Sequence, residues 1–185
     1  EVYTLTNIAR KPISVVSLAY RKLKELHMPA NARILIIGAG ETNKNLSKYL
    51  QKHTFSNFAI FNRTRAKAEL LAKELNAEVF GLEDLKNYKR GFDIIITCTS
   101  APQPIITEEV YQSLLNGESG SKVIVDLAVP NDTCQNVLAN NPVYFIGVNS
   151  LQEVAKRNLR ERNHELIHAE RIIDQNIQKF KPILK

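Results

Sequence analysis

A chain of 185 residues has the size of one domain with a further segment attached. With 44% hydrophobic and 24% charged residues its composition is ordinary for a globular protein, which excludes a disordered, collagenous or membrane-spanning chain. The net charge of +6 is scattered without a block of like charges, so an anionic partner is permitted but not demanded.

Two cysteines, Cys98 and Cys134, are too few for a disulfide framework, and a reducing, cytoplasmic setting is expected. No apolar run approaches the ~18 residues of a membrane span, so no membrane partner is expected. The chain opens with Glu1 rather than Met, which suggests a processed protein or a piece cut from a longer one.

In chain order, Val16, Ala19, Leu23 and Leu26 fall at helical spacing over residues 14–26, after a linker. The run Ile34-Leu35-Ile36-Ile37 is apolar without alternation, the pattern of a strand covered on both faces. Gly38-Ala39-Gly40 breaks it, and Leu46, Tyr49 and Leu50 resume helical spacing. Phe58–Phe61 reads as a second strand, Ala68, Leu71, Ala72 and Leu75 as a helix stripe, and Glu78–Phe80 as a third strand before a short helix or turn at Leu82–Tyr88.

Asp93–Thr99 is a fourth strand, Thr107–Asn116 a helix, Lys122–Leu127 a fifth strand, Thr133–Ala139 a short helix and Val143–Ile146 a sixth strand. Alternating strands and helices imply right-handed crossovers, hence an α/β fold with a doubly wound parallel, Rossmann-like sheet. Ser150 and Glu153 have capping-box spacing, and the apolar residues from Leu151 to Phe180 then keep steps of 3 or 4 up to Pro182. A long C-terminal helix is expected, its apolar stripe needing a further domain or a second chain as partner. The chain thus divides into a linker and helix at 1–30, the sheet domain at 31–149 and the long helix at 150–185.

The chemistry lies in the turns. At Gly38-Ala39-Gly40 the first glycine permits a tight turn, the second lets the backbone approach a pyrophosphate, and the next helix offers free N–H groups and positive potential. Glu41, Thr42 and Asn43 form that helix start, with Asn43 where a third glycine is usual. About 20 residues on, where a NAD site places an acid, stand Asn62, Arg63 and Thr64, with Lys67 one turn later. A guanidinium welcomes a 2′-phosphate that a carboxylate repels, so NADPH is favoured over NADH. The competing reading is an exposed cationic loop. Thr99 and Ser100, after the fourth strand, are small residues suited to the nicotinamide end, or ordinary turn residues.

Together these residues resemble the NADPH-binding domain of glutamyl-tRNA reductase. The resemblance is carried by Ile36 to Thr42, Asn62-Arg63-Thr64 with Ala66 and Lys67, and Pro104-Ile105-Ile106. Asp126-Leu127-Ala128-Val129-Pro130 and Asn158-Leu159 in the long helix extend it. It covers the chain from the Ser14 helix to Phe180.

The resemblance implies that glutamyl-tRNA is the parent enzyme's substrate, reduced to glutamate-1-semialdehyde through a cysteine thioester on the way to tetrapyrroles (porphyrins). It implies a thiol-bearing N-terminal domain and a C-terminal dimerisation domain that this chain lacks, a homodimer, and no activity in this piece alone. Two departures stand out, Asn131 where the family has Arg and Asn149-Ser150-Leu151 where Asp-Asp-Leu is common. The Gly turn with Asn-Arg-Thr alone also suits a shikimate-dehydrogenase-like enzyme, and a non-catalytic NADP(H)-responsive module is a further alternative.

Other signals carry less. His164-Glu165-Leu166-Ile167-His168 matches the zincin pattern, but no third ligand follows and a solvated helix face explains it better. Cys98 reads as a small hydrophobe in a strand, and Cys134 as inert. Arg157, Arg160, Arg162 and Arg171 alternate with acids as on a wet helix face, or touch tRNA.

Overall fold

The computed structural model describes residues 14–180, without the side chains of His168, Gln175, Asn176, Gln178, Lys179 and Phe180. The expected linker up to residue 13 and the expected stop at Pro182 lie outside the described residues.

Helix α1 (Val15–Glu25) buries Leu18, Ala19 and Leu23 and leads into β1 (Ile34–Ile37), α2 (Glu41–Lys52), β2 (Phe58–Asn62), α3 (Arg65–Leu75) and β3 (Glu78–Gly81). A 3-10 turn at Leu82–Asn87 comes next, then β4 (Ile94–Thr97), α4 (Glu108–Leu115), β5 (Lys122–Asp126), α5 (Gln135–Asn140), β6 (Val143–Gly147) and α6 (Val148–Phe180). All six strands are parallel, in the order β3-β2-β1-β4-β5-β6.

Because side chains alternate across a strand, the unbroken apolar runs feed two cores. Ile34, Ile36, Ile60, Ile94, Ile96 and Val125 pack beneath α1, α2, α3 and the start of α6. Leu35, Ile37, Phe61, Ile95 and Ile124 face the opposite way, towards Leu85, Phe92, Tyr111 and Val137. Burial on both faces is why these strands show no polar alternation.

The long helix departs from expectation at its start. It begins at Val148, directly after β6, because Val148 and Leu151 continue the buried apolar surface without a loop. Ser150 therefore lies in the first turn, where its hydroxyl donates to the Gly147 carbonyl (2.8 Å) instead of capping the helix with Glu153. At 1.5 Å per residue its 33 residues extend about 50 Å. Past its packing on α1, Leu159, Leu166, Ile173 and Ile177 are each about half exposed.

An ion-pair cluster ties the opposite edge of the sheet. Arg33 grips Asp93 (Nη2–Oδ1 2.8 Å) and Glu118 (Nη1–Oε1 2.6 Å), and the buried Lys122 ammonium lies 2.8 Å from Glu118. The Arg33 and Lys122 hydrogen bonds push the Glu118 carboxyl down to about 2 from its ordinary 4.5. A depressed acid contributes stability that is fully present above the ordinary value and disappears as the pH falls through the folded one. Since the pairs are about a third exposed, we expect about 1–2 kcal/mol to be lost between pH 4.5 and 2. Urea midpoints across that range check this: Glu118→Gln should flatten the decline, and an unchanged slope would refute the assignment.

Candidate cofactor-binding site

All strands end at one edge, and the strand order reverses between β1 and β4, which opens a crevice at their carboxyl ends. A cleft of about 470 Å³ occupies that position.

Its floor is the glycine turn. Gly38 has φ +96°, and a Cβ there would sit 2.7 Å from the Cys98 carbonyl oxygen and 3.1 Å from the Thr99 methyl, so the fold itself requires glycine. Gly40 differs. It caps α2 with extended backbone (φ −79°, ψ 171°), and a Cβ would meet nothing within 4 Å. No protein neighbour needs its bareness, and the space above it belongs to the cleft.

Gly38, Ala39 and Gly40 line the cleft, whereas the expected residues Glu41, Thr42 and Asn43 do not. Asn43 is fully buried, with Nδ2 donating to the Ile37 and Gly38 carbonyls (2.8 Å each), so it ties the turn from below. Glu41 accepts from Asn45 along the helix (3.2 Å), and Thr42 is half-buried.

Asn62, Arg63, Thr64 and Lys67 form one end of the cleft, with Leu82 beside them. The Asn62 carboxamide is engaged on both sides: Oδ1 accepts from Ala39 N (3.1 Å) and Nδ2 donates to Thr64 O (2.7 Å), which clips the β2 loop to the glycine turn. Arg65 turns away to pair with Glu69 (2.9 Å). Arg63 and Lys67 are exposed and form no ion pair among the described residues. The cleft thus has a cationic end free to meet an anion.

The other end consists of Cys98 to Pro102 and Ile105, including the expected Thr99 and Ser100. The Cys98 thiol points 3.4 Å from the Leu127 carbonyl, and burial pushes its pKa up, so it is no poised nucleophile.

Sequence reasoning did not assign roles to Leu82 and Ile105, or to the buried acids Asp126 and Asp132 beneath the wall. The Asp132 carboxylate accepts from both the amide (2.9 Å) and the hydroxyl of Thr99. Asp126 accepts from Ala128 N (3.1 Å) and Thr133 N (2.8 Å), while burial raises its pKa. The zincin-like stretch lies mid-helix on α6, with His164 exposed; the His168 side chain is outside the described residues.

A six-stranded sheet in this order, with its glycine turn after the first strand and its cleft over the switch point, defines a Rossmann-like α/β domain. Residues 17–154 match the family model described as shikimate / quinate 5-dehydrogenase, and the chain belongs to that family.

It is also similar to glutamyl-tRNA reductase from Methanopyrus kandleri, at 26% identity and a TM-score of 0.75 over 98% of this chain. The chain spans 46% of that protein. The nucleotide binding domain of glutamyl-tRNA reductase from Thermoplasma volcanium is 23% identical with a TM-score of 0.60, covering 82% of this chain and 98% of that one. A dipicolinate synthase chain from Bacillus halodurans, 13% identical, gives a TM-score of 0.61 over 85% of this chain and 53% of that chain. These last two likenesses show the fold. No helix among the described residues is long and apolar enough to cross a membrane.

Proposed function

We propose that this chain is the NADPH-binding domain of a glutamyl-tRNA reductase. The observation that carries the reading is the pairing of an open Gly40 with unpaired Arg63 and Lys67 in one cleft. A pyrophosphate fits over Gly38 to Gly40, where the α2 N-terminus supplies unpaired N–H groups. Arg63 and Lys67 stand where a 2′-phosphate would lie, Asn62 and Thr64 shape that loop, and Thr99 and Ser100 flank the nicotinamide end. Bound NADPH supplies the hydride, and the chain's residues orient it.

In the parent enzyme the acceptor is a glutamyl thioester on a cysteine, derived from glutamyl-tRNA and released as glutamate-1-semialdehyde. In this reading that cysteine lies outside this chain, which is inactive alone, and the half-exposed stripe of α6 is covered in a cytoplasmic homodimer. Shikimate-dehydrogenase-like chemistry is the second reading, supported by the family match. Support for the first comes from α6: the family match stops at residue 154, whereas the Methanopyrus likeness covers 98% of the chain.

Titrating the purified chain by NADPH fluorescence tests the site. We expect micromolar binding of NADPH and binding of NADH at least about tenfold weaker. Gly40→Ala should leave the unfolding free energy within about 1 kcal/mol of the parent, because its Cβ meets only open space. It should weaken NADPH about tenfold or more, as a methyl blocks the backbone approach. Unchanged NADPH binding by Gly40→Ala would remove the pyrophosphate from this turn.

A further inference from the structure

We propose that Asp132 is the positioning residue for the nicotinamide side of the cleft, acting through Thr99. The proposal rests on the NADPH reading and extends it to a residue that is 1% exposed and does not line the cleft.

Asp132 reaches the wall from the loop after β5 and holds it at both ends. At the near end, Oδ2 accepts from the Thr97 hydroxyl and Thr99 N (2.9 Å), while Oδ1 accepts from the Thr99 hydroxyl. At the far end, Ile106 N donates to the Asp132 carbonyl (2.8 Å). The segment between Thr99 and Ile106, which carries Ser100, Ala101, Pro102 and Ile105 into the cleft, is therefore bracketed by one residue. The Thr99 hydroxyl in turn accepts from Ala101 N (3.2 Å), and the Thr99 methyl packs towards Gly38. Wall and glycine turn share this contact.

The chemistry of the side chain matters here. An ionised carboxylate offers acceptors only, and a buried one is tolerated where donors surround it. Both oxygens are engaged, so each donor has one direction to point, and the Thr99 rotamer is set. An Asn of equal size presents one oxygen and one NH₂, and with the NH₂ at the Oδ1 position the Thr99 hydroxyl, which already accepts from Ala101 N, loses the acceptor for its own proton. The hydroxyl must then rotate to find another acceptor, and the wall it anchors moves with it. The phosphate end, built on β2 and clipped by Asn62, shares none of these bonds.

The two ends can thus be read separately, with adenosine 2′,5′-bisphosphate as the probe of the phosphate end and NADPH as the probe of the whole cleft. Asp132→Asn and Thr99→Val should bind the bisphosphate within about twofold of the parent, yet bind NADPH and NADH about tenfold more weakly, by a common factor.

A purely structural role would weaken bisphosphate and NADPH together, and that result overturns the proposal. So does parental NADPH affinity in both variants. If Asp132→Asn does not fold, Thr99→Val alone decides, since it removes the hydroxyl that Asp132 holds while keeping the volume. Binding of neither probe by the unmodified chain would remove the cofactor reading, and this proposal with it.

Discussion

Replacing Gly38 by alanine is expected to cost about 3 kcal/mol or more of stability and to abolish NADPH binding. Two independent penalties add. The backbone at Gly38 has φ +96°, a conformation that costs an L-residue roughly 1–3 kcal/mol. The new Cβ would also lie 2.7 Å from the Cys98 carbonyl oxygen. That atom cannot swing aside as a side chain could, because Cys98 continues the β1–β4 pairing through its N–H to Ile37 O (3.2 Å). Relief must come from parting the two central strands beneath the cleft. Unfolding midpoints check it: for a chain of this size we expect a fall of roughly 6–12 °C. A variant melting with the parent would show that the turn is not held against Cys98. Under the proposed reading, Gly38 and Gly40 thus separate into a glycine the fold needs and a glycine the ligand needs.

The parts legible in the sequence are those written locally. Ile34 to Ile37 announces a strand buried on both faces because every residue in it is apolar, and Gly38 and Gly40 mark the turn because a bare backbone there leaves room for close approach. The cationic Arg63 and Lys67 stand out where an acid would be usual, and the structure puts them in the same cleft as the turn. Asn43 was visible only as a missing glycine. Its carboxamide ties the Ile37 and Gly38 carbonyls, a role no spacing rule encodes.

Asp132 was hidden for the same reason, since its partner Thr99 lies 33 residues away and only the pairing of β4 with β5 brings them together. The start of α6 was misplaced because Ser150 and Glu153 satisfy a capping pattern, while burial of Val148 carries the helix back to β6. Local signals locate turns. Tertiary contacts decide what supports them.

The sharpest expected change in function is Arg63→Asp, which should lower NADPH affinity at least about a hundredfold while leaving NADH affinity unchanged or improved. A charge-assisted hydrogen bond contributes about 1.5–3 kcal/mol, and replacing it with a like charge facing the 2′-phosphate adds repulsion. Lys67 remains in the same end of the cleft and limits the loss. NADH carries a free ribose diol there, for which a carboxylate is the better partner.

The fold should not resist the exchange, because Arg63 is exposed and without an ion pair among the described residues. It precedes the N-cap Thr64 of α3, where the helix dipole disfavours a cation by about 0.3–1 kcal/mol, so aspartate should stabilise the domain slightly. A residue that weakens its own helix is best explained by a ligand that needs it. The preference for NADPH should also shrink with added salt, since the site is open to screening. Fluorescence titrations of both coenzymes at low and high ionic strength measure all of this, and equal affinities in the unmodified chain would show that Arg63 reads no phosphate.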